Sequence, residues 1–335
     1  MNRPRWQKVF SDLGRNKTRS LLVVASIAIG LFAIGIIAKT YLSINRDMQM
    51  GFKAVNPANI QVQTSLIDEE FLKGIERMPE ISKVEAVRHV SMQVQERDGS
   101  WESVYLVTRE YARSEINQVE ILSGNWPPED NQVVLANHKV ENIESGLGGW
   151  ITLRNPKGDS ITLQVIGLVK DQTIGIGSGN GGYFNAPTRA YVTENTLERL
   201  GVLSPDLYNE LDITITGDPT VDANLISAAD SVRKRLEDNQ VNVGEVSTRS
   251  PYHHPNKELI DAIIGVLILL GFLVVFLSAF LITNTLQSLL DQQVQQIGIM
   301  KSVGARSTQI RLVYMALINV FGVLAFLVAY PTAYL

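Results

Sequence analysis

The residues of this chain that could do chemistry are few, and each set lacks the spacing or the partners that chemistry needs. His253 and His254 are adjacent, between Tyr252 and Pro255. Neighbouring side chains in an extended segment point apart, so one metal ion cannot readily take both, and no further ligands follow at metal-binding spacing. Asp68, Glu69 and Glu70 form a carboxylate run of the kind used in acid–base catalysis. Acids in the first turn of a helix also complement its dipole, and that explanation suffices. Gly177, Gly179 and Gly182 satisfy G-x-G-x-x-G. A dinucleotide site needs that turn to follow a strand and open a helix. Here Tyr183-Phe184-Asn185-Ala186-Pro187 follows, which is a poor helix start. The sequence therefore predicts a loop over Ile174–Gly182. His89 and His138 are isolated, and no Ser/His/Asp or P-loop spacing occurs. With no cysteine in the chain, thiol catalysis, cysteine-based zinc sites and disulfide staples are excluded. The expectation is a chain that is no enzyme and that holds no cofactor and no metal.

The most informative polar stretch is short. Leu286, Leu289, Leu290, Val294 and Ile297 follow helical spacing, and Ile297-Gly298-Ile299-Met300-Lys301-Ser302-Val303-Gly304-Ala305 comes next. Gly304 reads as a helix C-cap and Ser307 as an N-cap. The pattern predicts a short helix lying parallel to a membrane, with apolar residues exposed and in need of a partner.

The elements that would hold such a segment are apolar runs. Ser20–Ala38, Ala262–Leu290 and Leu312–Leu335 carry no charge over 19, 29 and 24 residues. About 20 apolar residues in a helix cross a hydrocarbon core of roughly 30 Å. Arg3, Arg5, Lys8, Arg15, Lys17 and Arg19 precede the first run, against one acid, Asp12. Basic residues beside a span hold that end in the cytoplasm. Residues 45–258 are then outside, and Asp291–Arg311, with Lys301, Arg306 and Arg311, is inside. The overall charge of −4 hides a basic inside and an acidic outside, because residues 40–290 alone sum to −12. A cleaved signal peptide fits poorly, since the first run exceeds the roughly 7–15 residues of such a core. Trp6, Val9, Phe10 and Leu13 fall at i, i+3, i+4 and i+7 among basic residues. They predict an amphipathic helix in the inner headgroup layer.

The outer segment is long enough to bury its own core. Strands are expected at Asn59–Gln63, Val84–Gln95, Trp101–Thr108, Leu211–Thr216 and Val241–Val246. Helices are expected at Asp68–Met78 and Val221–Leu236, and a hairpin turn at Arg97–Ser100. Strand–helix–strand units at both ends suggest one α+β subdomain built from both ends of the segment. Between them, Val133–Ala136, Trp150–Arg154, Ser160–Val169 and Ala190–Thr193 read as strands of a β-rich insertion. Asn155–Asp159 is a turn, and the short helix Glu194–Leu200 closes the insertion. Tyr41, Ile44, Met48 and Phe52 form a helical stripe beyond the first span. They read as a stalk, with Asn256–Asp261 as its expected partner.

At this point a resemblance carries further. Ile297–Ala305 followed by Gln309-Ile310 resembles the E-I-G-I-x-[KR]-[AS]-x-G-A signature of MacB/FtsX-type ABC transporter permeases, the group that includes the LolC and LolE lipoprotein-release subunits. Asp12–Leu22 resembles the family's N-terminal entry. Leu122-Ser123-Gly124-Asn125-Trp126 and the hairpin in Gly148–Val169 resemble its outside domain. The resemblance implies an α-helical transmembrane protein, three spans being visible, with a large α+β extracytoplasmic domain of porter and sabre type.

The implied divisions are a cytoplasmic helix at 1–19, first span and stalk at 20–52, and an outer domain at 53–255. Its porter-like part is 53–110 with 205–250, and its sabre-like insertion is 111–204. The second span is 256–290, the coupling loop 291–311 and the third span 312–335. A fourth helix, or a whole second repeat, is expected beyond Leu335. The implied function is coupling of ATP hydrolysis in a separate cytoplasmic ABC ATPase to movement of the outer domain, for export or extraction of a lipoprotein, peptide, lipid or drug.

Gln296, Ile297, Gly298, Ile299, Met300, Lys301, Gly304 and Ala305 would contact that ATPase, with Tyr41, Ile44, Met48 and Phe52 as the stalk. Other implied partners are a second permease copy or repeat, the lipid bilayer of a prokaryotic inner membrane, and an extracytoplasmic adaptor or hydrolase, with no nucleic acid. Gln292-Gln293-Val294-Gln295-Gln296 stands where the family usually carries Glu and Arg. Two other readings share parts of this layout, an FtsX-like regulator of cell-wall hydrolases and a membrane-anchored receptor. The short polar stretch between the last two spans leaves a receptor little room for an output module.

Overall fold

A computed structural model describes residues 17–136, 146–175, 188–204, 206–304 and 306–334. The amphipathic helix expected over Trp6–Leu13, most of the glycine loop, His138 and Ala305 lie outside the described residues. The chain begins its described course in α1 (Lys17–Ala54), then β1 (Ile60–Ile67), α2 (Glu69–Glu76), β2 (Ile81–Gln95), β3 (Trp101–Thr108) and β4 (Glu120–Gly124). It continues through β5 (Gln132–Ala136), β6 (Trp150–Arg154), β7 (Ser160–Lys170), β8 (Thr188–Tyr191) and α3 (Glu194–Arg199). It ends with β9 (Tyr208–Ile215), α4 (Asp222–Asp238), β10 (Val243–Thr248), α5 (Lys257–Ser302) and α6 (Ser307–Tyr334). Two compact units result, Met1–Arg46 with Glu258–Leu335, and Asp47–Lys257.

Among the described residues, three helices are long and apolar enough to cross a membrane, over Ser20–Ala54, Lys257–Thr285 and Ser307–Ala333. At 1.5 Å per residue, the 46 residues of α5 reach about 69 Å, more than twice the hydrocarbon thickness. In lipid no hydrophobic effect drives helices together, so small residues that permit close approach matter most. Ala28 of α1 packs with Ala325 and Ala329 of α6. A Cβ added at Gly35 would stand 2.9 Å from the Cβ of Ala333, and one at Gly271 of α5 would stand 2.6 Å from Ile37 Cδ1. Large apolar side chains on the other faces, among them Leu21, Phe272, Phe276, Phe280 and Phe326, are exposed and suit a lipid surface.

Among the described residues, the 47–257 unit is one ten-stranded sheet system in the order β10-β1-β9-β2-β3-β8-β5-β7-β4, with β6 pairing β2 and β7. Strand β2 joins its halves. Residues Ile81–Val87 pair antiparallel with β9, and Arg88–Gln95 pair antiparallel with β3. The first core lies under α2 and α4, where Ile60, Val62, Leu211 and Ile213 meet Ile75, Leu225, Val232 and Leu236. Asp68 caps α2 by accepting the Phe71 N–H, and Glu69 and Glu70 fill its first turn. The carboxylate run is thus helix-start chemistry, as its sequence position predicts. The second half of the sheet buries both faces. Val133 and Leu135 of β5 point to a core with Met92, Val94, Leu106 and Leu163. Val134 points the other way, to Val87, Val107, Val169 and Tyr191.

Most expected strands and helices form within a few residues of their predicted bounds. β4 was not foreseen. Its EILSG sequence does not alternate, because it is an edge strand with mostly exposed side chains. The predicted division at residue 110 also shifts. Met92, Val94, Val104 and Leu106 were expected with the first subdomain but fill the core of the insertion. The β2–β3 hairpin is long enough to leave one core and enter the other.

Candidate functional site

The segment expected to meet an ATPase is not a separate helix. α5 runs unbroken from Lys257 to Ser302 and therefore contains Gln296, Ile297, Gly298, Ile299, Met300 and Lys301. No proline interrupts it, and Gln, Leu, Met and Lys favour helix. The stop comes at Gly304, whose φ of 95° is the left-handed conformation of a C-cap. The Val303 N–H reaches Ile299 O at 3.1 Å, and the Gly304 N–H reaches Lys301 O at 2.9 Å. The next helix starts at Ser307, so the capping position is Arg306 rather than Ser307. The Arg306 N–H donates to Gln309 Oε1 at 3.1 Å, half of a capping box. Ile299 and Val303, one turn apart, are 59% and 83% exposed. Together with Met300, Gly304 and Gln309 they line a shallow groove of about 450 Å³. Ile297 is half-buried, Gly298 exposed, and no atom lies within 4 Å of where a Gly298 Cβ would stand.

The stalk residues share one face of α1, and burial deepens along it. Tyr41 is exposed, Ile44 and Met48 are half-buried, and Phe52 is 2% exposed. The end of the stripe meets residues just before the 256–261 stretch. Phe52 meets the His254 ring edge-on at 5.3 Å, and Lys53 Nζ donates to Tyr252 Oη at 2.9 Å. Burial, helped by the charges of Arg249 and Lys170, pushes His254 down to about 4, so it is a neutral packing group at physiological pH. His254 thus serves the join between chain segments, while His253 is exposed. Among the described residues no group of His, Asp and Glu is arranged to hold a metal.

Sequence reasoning missed a buried polar cluster where the two halves of the sheet meet. Asp171 Oδ2 accepts Arg189 Nη1 at 2.7 Å and Tyr191 Oη at 2.6 Å. Burial would raise the Asp171 carboxyl, but the Arg189 charge and the bonds from Tyr191 and Thr173 hold it below the usual range. On β9, Glu210 Oε1 lies 3.2 Å from His89 Nε2. Two residues on, Asp212 is 2% exposed and accepts Gln61 Nε2 at 2.8 Å. Burial first, and the Glu210 charge second, push Asp212 up to about 6, with Arg109 and bonds from Gln61 and Asn117 acting the other way. Arg109 is 8% exposed and donates to the Ile116 and Asn117 carbonyls at 2.9 and 3.2 Å. The available signal was charge at i and i+2 within strand runs, Arg189 with Tyr191 and Glu210 with Asp212, which places both groups on one face.

An α+β unit of this topology, on a chain with three described helices of membrane-crossing length, defines a membrane protein with a large folded domain. The chain belongs to the MacB/FtsX-type ABC transporter permeases. Residues 20–235 match the MacB-like periplasmic core domain, and residues 268–335 match the FtsX-like permease C-terminal region.

The fold is compared with three solved structures. The extracellular domain of the noncanonic ABC-type transporter YknZ from Gram-positive bacteria is 14% identical, over 56% of this chain and 99% of that one, with a TM-score of 0.37. The periplasmic region of MacB from Actinobacillus actinomycetemcomitans is 14% identical, over 57% of this chain and 91% of that one, with a TM-score of 0.38. A domain of a putative permease from Porphyromonas gingivalis is 11% identical, over 57% and 87%, with a TM-score of 0.31. No curated protein matches the chain. The protein is thus an ABC transporter permease, a membrane subunit of a family that works with a cytoplasmic ATPase.

Proposed function

We propose that this permease turns ATP-driven closing of a separate cytoplasmic ATPase into movement of residues 47–257 outside a prokaryotic inner membrane. The observation that carries this reading is the single helix from Lys257 to Ser302, ending in the exposed Ile299 and Val303. A stiff helix passes a push at one end to the other, and apolar groups bare to water at its end call for a partner. The partner is the ATPase, contacted by Gln296–Lys301, Gly304 and Ala305. Gly298 supports close approach, since its Cβ space is empty within this chain. Tyr41, Ile44, Met48 and Phe52 act as the stalk. The six basic residues before the first apolar run support a cytoplasmic N-terminus and a cytoplasmic 291–311 segment. The working unit contains a second permease copy or repeat, and the cargo is a lipoprotein, peptide, lipid or drug.

The test is co-purification and ATPase stimulation with Ile297→Asp, Ile299→Asp and Val303→Asp in the full-length permease. Burying one such side chain is worth roughly 1.5–3 kcal/mol, so each exposed-site change weakens association about tenfold or more. The half-buried Ile297 gives the smaller effect. Unchanged association in all three variants sinks the assignment. Recovery of a wall hydrolase instead of an ATPase from native membranes selects the regulator reading. A cysteine at Ser100 labelled by an impermeant reagent on intact cells, with one at Ser302 protected, supports the orientation; the reverse pattern inverts it.

A further inference from the structure

The end of the stalk enters the outer unit and continues directly into β1, which belongs to the first core. A second connection leaves from the same place. Asn56 Nδ2 donates to Glu115 O at 2.9 Å, and the Asn117 N–H donates to Asn56 O at 2.9 Å. The Gln118 N–H donates to Val55 O at 2.8 Å, and the Ala58 N–H to Asn117 Oδ1 at 2.9 Å. Residues 55–58 and 115–118 are thus laced together at both backbone and side-chain level. One turn earlier, a Cβ at Gly51 would stand 3.1 Å from Nε2 of Gln172, a residue just past β7.

The 109–118 loop is itself fixed at both ends to the insertion. It joins β3 to β4, and Tyr111 and Val119 pack against the core formed by Val107, Val134, Val169 and Tyr191. The single Tyr111 hydroxyl proton is within reach of the Val192 and Val107 carbonyls, at 2.8 and 3.0 Å from Oη. Inside the loop, Glu85 accepts the Glu115 and Ile116 N–H groups at 2.6 and 3.0 Å. Arg109 holds the carbonyls of Ile116 and Asn117 from the other side. Such a loop is stiff, because its backbone groups are spoken for by buried side chains. Asn56 and Asn117 both have positive φ, 46° and 50°, a conformation asparagine tolerates better than most residues.

We propose that the 109–118 loop is a second transmission path, carrying displacement of the stalk's end into the inserted β subdomain, with Asn117 and Arg109 as its positioning residues. The first core receives the same displacement through the covalent continuity of α1 and β1. The lacing thus adds to strand β2 a direct link from the stalk's end to the second half of the unit. This rests on the ATPase-coupling reading above.

The experiment is hydrogen exchange read by mass spectrometry on the full permease–ATPase complex, with and without a non-hydrolysable ATP analogue. The native chain is expected to show a nucleotide-dependent change both in β1 and β9 and in β4 and β7. Asn56→Gly with Asn117→Gly removes the side-chain bonds while keeping the left-handed backbone accessible. In that variant the change in β4 and β7 is lost and the change in β1 and β9 remains. Nucleotide-free protection of β9 equal to that of the native chain confirms that the variant is folded. If it is not, Asn117→Gly alone is read in the same way. A β4 and β7 response that persists in the variant overturns this proposal and leaves the coupling reading standing. A native chain that responds in neither half overturns both.

Discussion

Arg189 and Asp171 form an ion pair in which the carboxylate is 2% exposed and the guanidinium 22%, and Tyr191 donates to the same carboxylate oxygen. The three groups come from β8 and the residue after β7, and Arg189 also donates to Thr173 Oγ1 at 3.1 Å. A buried pair adds little over a well-packed apolar one, but removing one member strands the other.

Asp171→Ala is therefore expected to cost about 3–5 kcal/mol, because Arg189 stays charged and Tyr191 loses its acceptor. Asp171→Asn, which keeps an acceptor oxygen, costs less. Asp171→Ala with Arg189→Ala costs less than the two singles added together. Urea unfolding of the 47–257 fragment reads all four proteins. Strict additivity would show that the pair is not coupled.

Asp212 gives stability a pH dependence of its own. Its carboxyl is raised from 3.8 to about 6 in the folded chain, so folding favours the protonated form. The penalty is fully present above about pH 6 and is relieved as pH falls towards 4. Asp171 and Glu210 are depressed instead, so their contribution is present above the ordinary carboxylate range and is lost at lower pH. Stability of the 47–257 unit should thus peak between about pH 4 and 6. Asp212→Asn, which still accepts from Gln61, should be more stable than the native chain at pH 7.5 by about 1–3 kcal/mol and flatter between pH 4 and 6.5. An unchanged slope in that window refutes the assignment to Asp212.

Gly124 and Gly167 face each other across β4 and β7. A Cβ at Gly124 would run into the Ile166 carbonyl oxygen, and one at Gly167 into the Asn125 carbonyl oxygen. Gly124 also has φ of 79°. Gly124→Ala and Gly167→Ala should each cost about 2 kcal/mol or more, since backbone must move and not merely a side chain. Gly99, at φ 85° with nothing within 4 Å of its Cβ site, is the comparison. Gly99→Asn should be nearly neutral. Thermal melts of the three variants rank them, and equal losses would show that close approach is not the reason for glycine at 124.

Regular elements were legible wherever one physical period dominated. Trp101–Thr108 and Trp150–Arg154 form strands with the bounds read from the sequence, because alternation ends at recognisable turns. The stalk stripe was legible because Tyr41, Ile44, Met48 and Phe52 keep helical spacing up to a buried aromatic. What sequence could not provide is which distant segments meet. Asn117 is unremarkable in its neighbourhood, and its bond to Ala58 spans 59 positions. The sharing of the β2–β3 hairpin between two cores was hidden for the same reason. β2 is one continuous pattern, and only pairing with β9 at one end and β3 at the other reveals that it serves two cores. Helical spacing through Leu286, Leu289, Leu290, Val294 and Ile297 is legible in the sequence, but spacing alone does not show that the segment after it belongs to the same helix.

The turn between α5 and α6 supplies the last prediction. Gly304 sits at φ 95°, and no neighbouring atom lies within 4 Å of its Cβ site, so any substitution cost there is a backbone cost. A left-handed residue costs an L-amino acid about 1–2 kcal/mol, less for asparagine and most for a β-branched side chain. Gly304→Asn should be mild, Gly304→Ala intermediate and Gly304→Val the most damaging. The damage should concentrate locally, because without the cap α5 gains by continuing its helical bonds past Ser302 and the exit into Ser307 is redirected. Val303 and Gln309 would then no longer line one groove with Ile299. ATPase stimulation by the full-length permease should fall in the order Asn, Ala, Val, while unfolding of the 47–257 fragment, which lacks the site, is untouched by design. Stimulation by Gly304→Val equal to the native level would show that the groove's shape plays no part in the contact.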